Sequence, residues 1–447
     1  MRIRFEADTS REIVQLAYPI ILGSIAQVLL STVDTIMLGR LSSTALAAAG
    51  MGATVYLTVV MGFGALCLGV QTLVARRYGE RKHAQCGRVL NSALVFAIAF
   101  GAVFAIVSPW LSRILARAMQ SDPVMGAQLA DYLRWRFVGT AFVLLNSSYR
   151  GFFSGVGRTK IRMGAAILLT GANLVLDYLL IFGHAGFPAL GVKGAAIAST
   201  LATLLGTFYF ASFSGVRATR QQYRLYVPAN VDFAAIRRLA TVSLPLMIRT
   251  LAGSGGFVVF LWIIGRIGTV ELGASNVLRS LNSISYMIGA ALGAAATTAV
   301  GHRLGAGSPD RAETAAWTAV AWGVLFMGLL GIGFVAFPKA FLRIYVDDPT
   351  VIHTGATALR ILGFAQLVNA IGAVLGPALI GAGDLRFVMG IEIVATYALF
   401  LPLAWLLGVH LHLGVVGAWT AELLYVAATA LGTALRIRKG AWKAIRI

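Results

Sequence analysis

Charge is scarce in this chain. Asp, Glu, Lys and Arg make up 12% of its 447 residues, about half the share usual in a soluble globular protein. With 58% hydrophobic residues there is too little polar surface to clothe a fold of this size in water, which excludes a soluble protein. Cysteine is nearly absent. Cys67 sits in an apolar run and Cys86 beside a basic loop, which excludes a disulfide framework, a metal cluster and thiol chemistry. Histidine offers no ligand spacing, since His184, His410 and His412 fall in or beside connections. Without a metal-spaced cluster or a paired nucleophile and base, the chain reads as no enzyme, and no cofactor is expected.

What the chain does have is long hydrophobic runs. Lipid offers backbone N–H and C=O groups no partner, so only helices or closed barrels span a membrane. Stretches such as 90–107 and 315–337 are near the ~20 apolar residues of a spanning helix and unlike the alternating ~10-residue strands of a barrel. Hydropathy and turn residues predict twelve helices, at 13–38, 45–74, 88–111, 126–149, 161–183, 189–214, 234–264, 270–300, 313–337, 351–378, 387–409 and 413–436. The 50 glycines suit helices packed backbone to backbone. The fold expected is an all-α integral membrane protein.

The net charge of +20 does not point to nucleic acid, because the cations are spread along the chain in alternate connections. Arg76, Arg77, Arg81, Lys82 and Arg88 form one cluster; Arg436, Arg438, Lys439, Lys443 and Arg446 form another. Most Lys and Arg fall in the two tails or in the connections after even-numbered helices. By the positive-inside rule both termini are cytoplasmic, and the basic face anchors to anionic inner-leaflet lipid. The opening MRIRFEADTSRE reads as a cytoplasmic tail before an uncleaved first helix.

The sequence repeats itself. Shifted by 226 positions, Arg11 falls on Arg237, Pro19 on Pro245, Gly39-Arg40 on Gly265-Arg266, Asp122-Pro123 on Asp348-Pro349, and Met163-Gly164 on Met389-Gly390, without a gap. Six helices is an even number, so both halves enter the membrane in the same sense as parallel repeats. The expected layout is an N-lobe at 1–214, a cytoplasmic linker at 215–233 and a C-lobe at 234–447, facing each other across a central cleft. That is the architecture of a transporter that alternates access.

The acids are not duplicated. Asp34 aligns with Phe260 and Asp177 with Leu403. Asp34 lies about 21 residues into the first helix and Asp177 about 16 into the fifth, which puts both in the outer half of the bilayer at about 1.5 Å per residue. Asn173, four residues before Asp177, shares its helical face. A carboxylate at that depth is costly unless neutral, paired or wetted, which makes it a functional candidate. Pro19 removes a backbone donor early in the first helix and loosens it. In the C-terminal half, Arg249 and Glu422 both lie near mid-membrane and form a possible buried pair; Arg360 competes for the same acid, and Glu392 reads as part of a wetted entrance.

The stretch LAYPIILGSIAQVLLSTVDTIMLGRLSSTALAAAG, with NLVLDYLLIFG, LGVKGAAIAST and SLPLMIRTL, resembles the multidrug and toxic compound extrusion (MATE) transporters. The residues around Pro19, Asp34, Asn173 and Asp177 are similar to the polar N-lobe site of the DinF-like branch. The resemblance implies an antiporter that expels organic cations or other amphipathic compounds in exchange for protons or sodium, and protons are the ion expected here. In it Asp34 and Asp177 form the ion-responsive network, Pro19 permits bending, and Tyr132 and Ser199 are further polar partners. It also implies small-molecule substrates, an inner-membrane location and a monomer. Sodium coupling at the same site is the closest rival, since carboxylate and amide oxygens suit a hard cation. A lipid-linked oligosaccharide flippase of the same superfamily is a third reading; the basic cavity it needs has only Arg249, Arg279 and Arg360 as candidates.

Overall fold

The computed structural model describes residues 6–445 and 447; residues 1–5 of the expected N-terminal tail and Arg446 of the C-terminal basic cluster lie outside the described residues. The described residues are helical nearly throughout and include no strand. The helices are α1 Ala7–Leu41, α2 Ser43–Gly79, α3 His83–Met119, α4 Pro123–Val138, α5 Thr140–Gly155, α6 Thr159–Phe182, α7 Gly191–Gly215, α8 Arg217–Tyr223, α9 Phe233–Ile267, α10 Thr269–Gly305, α11 Pro309–Ala336, α12 Pro338–Arg343, α13 Pro349–Ala382, α14 Leu385–Val394, α15 Leu401–Trp405 and α16 Gly414–Lys439. The segment Leu385–His410, which contains α14 and α15 with π-helical turns at Ala395–Phe400 and Leu406–His410, is one apolar span.

Eleven spans among the described residues are single helices long and apolar enough to cross a membrane. The twelfth is the broken pair α4 and α5. The protein is thus an all-α, twelve-span membrane protein. Its helices run several residues past the hydropathic limits at most ends, as in α1 at Ala7–Leu41 against 13–38. Apolar length marks only the lipid-embedded part, whereas backbone hydrogen bonding continues through polar flanks until a turn stops it.

The duplication is visible in the element ends. Adding 226 to the limits of α1 gives those of α9, and adding it to the limits of α2 gives those of α10; the starts of α3, α4 and α6 map likewise onto those of α11, α13 and α14. The repeated Asp-Pro pair shows why. Asp122 accepts from Met125 N at 2.8 Å, Asp348 accepts from Thr350 N at 2.8 Å, and each is followed by proline at the first helical position. An N-cap acceptor followed by a residue with no N–H to satisfy starts a helix at a fixed point.

One difference between the repeats is structural. The predicted helix 126–149 is broken at Gly139, whereas α13 runs unbroken. The hydroxyl of Thr200 on α7 donates to the carbonyl of Trp135 at 3.0 Å, and a Cβ at Gly139 would stand 2.7 Å from that hydroxyl. The Trp135 carbonyl also keeps its helical bond from Gly139 N at 3.1 Å, so the hydroxyl is a second partner at this point and displaces no ladder bond. In the other repeat Val426 replaces Thr200 and Ala365 replaces Gly139, and the bond cannot form.

The chain packs as two units. One holds Pro19–Tyr78 and Lys82–Ser243; the other holds Leu244–Ile447 with Gly79–Arg81 and the described part of Met1–Tyr18. In the first, the connection after α7 is pinned to α3. Asn91 donates to the carbonyl of Arg224 at 3.2 Å and accepts from Tyr226 N at 3.0 Å, and Tyr149 and Tyr226 share a hydroxyl hydrogen bond of 2.9 Å. Tyr223 is buried there, and burial pushes its phenol up to about 12. In the second, Trp322 donates to Ser10 at 2.8 Å and Arg303 pairs with Glu12 at 2.7 Å, so the opening turns of α1 belong with α10 and α11.

Candidate functional site

Two helices bring the acids of the N-terminal repeat together. On α6, Asn173 and Asp177 stand one turn apart on the same face, both buried, and Asn173 Nδ2 donates to Asp177 Oδ2 at 2.9 Å. The bond uses one carboxylate oxygen of Asp177 and leaves the other without a hydrogen-bond partner. Asp34 on α1 is half-buried, and its carboxyl lies within hydrogen-bonding reach of Asp177. The Oδ1 atoms of both acids are buried without a hydrogen-bond partner. Two carboxylates are acceptors only; a proton between them turns the contact into a hydrogen bond.

Arg136 on α4 attracts both acids. Its guanidinium lies 4.3 Å from the centre of the Tyr56 ring, which supports it without neutralising it. Tyr132, one turn earlier on α4, is buried beside the same acids. Its ring occupies a notch at Gly52, where a Cβ would come within 2.4 Å of Cδ1. Leu38, Ala45, Ile181 and Val192 close an apolar collar around Tyr132, thinning water around the charges and strengthening their interaction.

The structure thus gathers Asp34, Tyr132, Asn173 and Asp177. It does not bring Ser199 into hydrogen-bonding contact with them: its carbonyl accepts from Thr203 at 2.7 Å and its hydroxyl meets neither acid among the described residues. Pro19 is buried and lies about four turns from Asp34 along α1, which runs on through it. Arg136 is the member that the sequence reading missed. The available signal was its spacing, four residues after Tyr132 and hence on the same helical face.

The second repeat carries no copy of this site. The positions equivalent to Asp34, Tyr132, Arg136 and Asp177 are Phe260, Ala358, Leu362 and Leu403, and all belong to or pack against one apolar cluster with Phe400 and Trp419. The scaffold is shared, and its charges were replaced as a set.

The expected pairing of Arg249 with Glu422 is not what the structure shows. Arg249 Nε donates to Glu392 Oε2 at 2.9 Å, and the Tyr425 hydroxyl approaches Glu392 Oε1 at 3.4 Å. Glu422 lies in electrostatic range of Glu392 but makes no hydrogen bond or ion pair among the described residues. Depth along a helix placed Arg249 and Glu422 at similar levels; the rotation of α14, which turns Glu392 toward α9, decides the partner. Arg360 is exposed and does not compete. Chemically, two facing carboxyls beside one guanidinium can hold one proton or one monovalent cation. No group of three or more His, Cys, Asp or Glu able to hold a metal occurs among the described residues.

The family model MatE matches residues 19–179 and 245–406, one segment in each repeat and together more than half of the chain. The chain therefore belongs to the MatE family, and it is a transporter, not an enzyme. It is 27% identical over 440 residues to the multidrug resistance protein MdtK of Yersinia enterocolitica, covering 96% of this chain and 95% of that one. It is 25% identical, with the same coverage, to MdtK of Yersinia pseudotuberculosis. Among solved structures, an outward-facing multidrug resistance MATE family transporter of the MOP superfamily aligns with TM-score 0.88 at 20% identity over 97% of each chain. A MOP superfamily transporter from Pyrococcus furiosus, described as having a binding pocket of reverse polarity, aligns with TM-score 0.86 at 20% identity over 98% of this chain and 97% of that one.

Proposed function

We propose that this membrane transporter is a secondary antiporter that exports organic, cationic or amphipathic compounds in exchange for protons, with Asp34 as the coupling carboxyl. The observation that carries this reading is the approach of half-buried Asp34 to buried Asp177, with Asn173 bonded to Asp177 and Arg136 attracting both acids. With both ionised the cluster carries one net negative charge and attracts a cation; one proton neutralises it and removes that attraction. Proton and substrate therefore bind in competition, and each shifts the conformational equilibrium by its differential affinity for the two states. Pro19 lets α1 bend in response. The curated relatives named for multidrug resistance support the substrate class.

The division of labour follows the repeats. The N-terminal repeat, 1–214, carries ion coupling and the C-terminal repeat, 234–447, does not, with 215–233 joining them. The distribution of Lys and Arg supports an inner-membrane protein with both termini cytoplasmic, acting as a monomer on small molecules without nucleic acid or cofactor. Sodium coupling uses the same carboxyls and the amide oxygen of Asn173.

The test is efflux of a fluorescent cationic dye from membrane vesicles, with the proton and sodium gradients collapsed one at a time. Loss of efflux with the proton gradient alone supports the proposal. Loss with the sodium gradient alone keeps the site and replaces the ion. No dye movement under either gradient contradicts drug export and favours a lipid-linked substrate.

A further inference from the structure

Below the acid site the N-terminal repeat holds a second polar feature that coupling does not use. A small cavity of about 30 Å³ is lined by Pro19, Gly23, Arg150, Arg162 and Ala166, and among the described residues no acid lines it. Arg162 lies within Coulombic range of Arg150. Arg162 donates to Ser154 at 3.3 Å, and the Arg150 guanidinium has no hydrogen-bonding partner among the described residues. Two half-buried guanidiniums lining one cavity repel each other, and no carboxylate among the described residues lines it with them.

The duplication supplies an internal control. At the offset of 226, Gly23 and Ala166 correspond to Arg249 and Glu392, and Arg150 and Arg162 to Gly376 and Val388. The pairs are spatial neighbours in both repeats. A Cβ on Gly23 would stand 3.2 Å from Ala166, and one on Gly376 would stand 4.0 Å from Val388. In the C-terminal repeat this part of the fold is filled and neutral, because the guanidinium of Arg249 meets the carboxylate of Glu392 at 2.9 Å. In the N-terminal repeat the cations come from α5 and α6, and the residues that would fill and neutralise the position are Gly and Ala.

We infer that the cavity between Arg150 and Arg162 is a binding site for a small inorganic anion of the halide class, which takes the electrostatic part that the Glu392 carboxylate plays in the other repeat. Guanidinium is weakly hydrated and fits such an ion well. The about 30 Å³ open to water-sized groups exceeds the roughly 10–15 Å³ that one water needs, so a single-atom anion has room between the two guanidiniums. The inference rests on the repeat comparison and does not depend on the coupling ion proposed for Asp34.

The experiment is thermal unfolding of the purified full-length protein at fixed ionic strength, with sodium gluconate replaced stepwise by sodium chloride or bromide, and with inorganic phosphate and anionic lipid as separate arms. A ligand that binds the folded state alone raises the unfolding temperature saturably. The expected rise with halide is on the order of 2 °C, and crystals grown in bromide should show an anomalous peak between the two guanidiniums. Ala166→Glu, which installs a carboxylate where the other repeat has one, should abolish both signals. Should it fail to fold, Arg150→Gln should do the same. Equal unfolding temperatures in chloride and gluconate, stabilisation by phosphate or anionic lipid with halide inert, or an undiminished halide effect in both variants would overturn the inference.

Discussion

The guanidinium of Arg249 meets the carboxylate of Glu392 at 2.9 Å, at the place where the other repeat packs Gly23 against Ala166. Both partners are largely buried, with side-chain exposures of 25% and 22%. Removing one end of such a pair strands the other, which costs about 3–5 kcal/mol, whereas replacing both with apolar groups is often neutral. Arg249→Leu should therefore lower stability in detergent strongly, and Arg249→Leu with Glu392→Leu should recover most of it. Chemical unfolding of the two single variants and the double variant checks this. An additive double variant would mean that the pair contributes no coupling.

Tyr132 reaches the acids because position 52 carries no side chain. In Gly52→Ala the new methyl would stand 2.4 Å from the Tyr132 ring, and overpacking of this kind costs about 1–3 kcal/mol. The expected outcome is a lower unfolding temperature together with weakened efflux, as the ring is pushed off the acids. Adding Tyr132→Leu should restore stability but not transport.

Arg136 attracts both Asp34 and Asp177, and it is stacked on Tyr56. Arg136→Gln should cut efflux at least tenfold, equivalent to about 1.4 kcal/mol of barrier. Arg136→Lys keeps the charge but loses the planar stacking, so it should fall between the two. Transport rates in vesicles containing equal amounts of each variant decide the order.

The C-terminal turn should loosen at alkaline pH. Lys443 donates to Asp310 and Glu313 at 2.8 Å each, and these hydrogen bonds, Asp310 first, raise its ammonium above the ordinary 10.5. A base whose value is higher in the folded protein contributes stability that is fully present below its unfolded value and lost as pH rises through its folded one. The reporter is the adjacent Trp442, buried with its indole N–H donating to the Ile437 carbonyl at 3.0 Å. Its fluorescence should shift to longer wavelength above pH 10.5, and in Lys443→Met it should already be shifted at neutral pH.

Much of the architecture was legible in the sequence because lipid leaves few options. Apolar runs, alternating basic connections and a gapless internal repeat define twelve parallel-repeat helices before any coordinate is known. Asp34 and Asp177 stand out because a charge in an apolar run has no bland surroundings to hide in. Arg136 did not stand out. It sits in DYLRWRF with Asp131 and Arg134, where cations near a helix end are ordinary. The partner of Arg249 was illegible for another reason: hydropathy and helical rise give depth, while choosing between Glu392 and Glu422 needs the rotation of two helices about their axes. At the break, the Trp135 carbonyl takes a second partner, the Thr200 hydroxyl from another helix, which no local pattern at 139 records.

The central claim is that substrate and proton compete at Asp34. The direct measurement is proton release into weakly buffered detergent solution when a transported cation binds to the purified protein. The account predicts up to about one proton released per substrate bound in the wild type at near-neutral pH and none in Asp34→Asn, whose neutral cluster should bind the cation more weakly, measured at concentrations that saturate each protein. Substrate binding without proton release in the wild type, or equal release from Asp34→Asn, would contradict it.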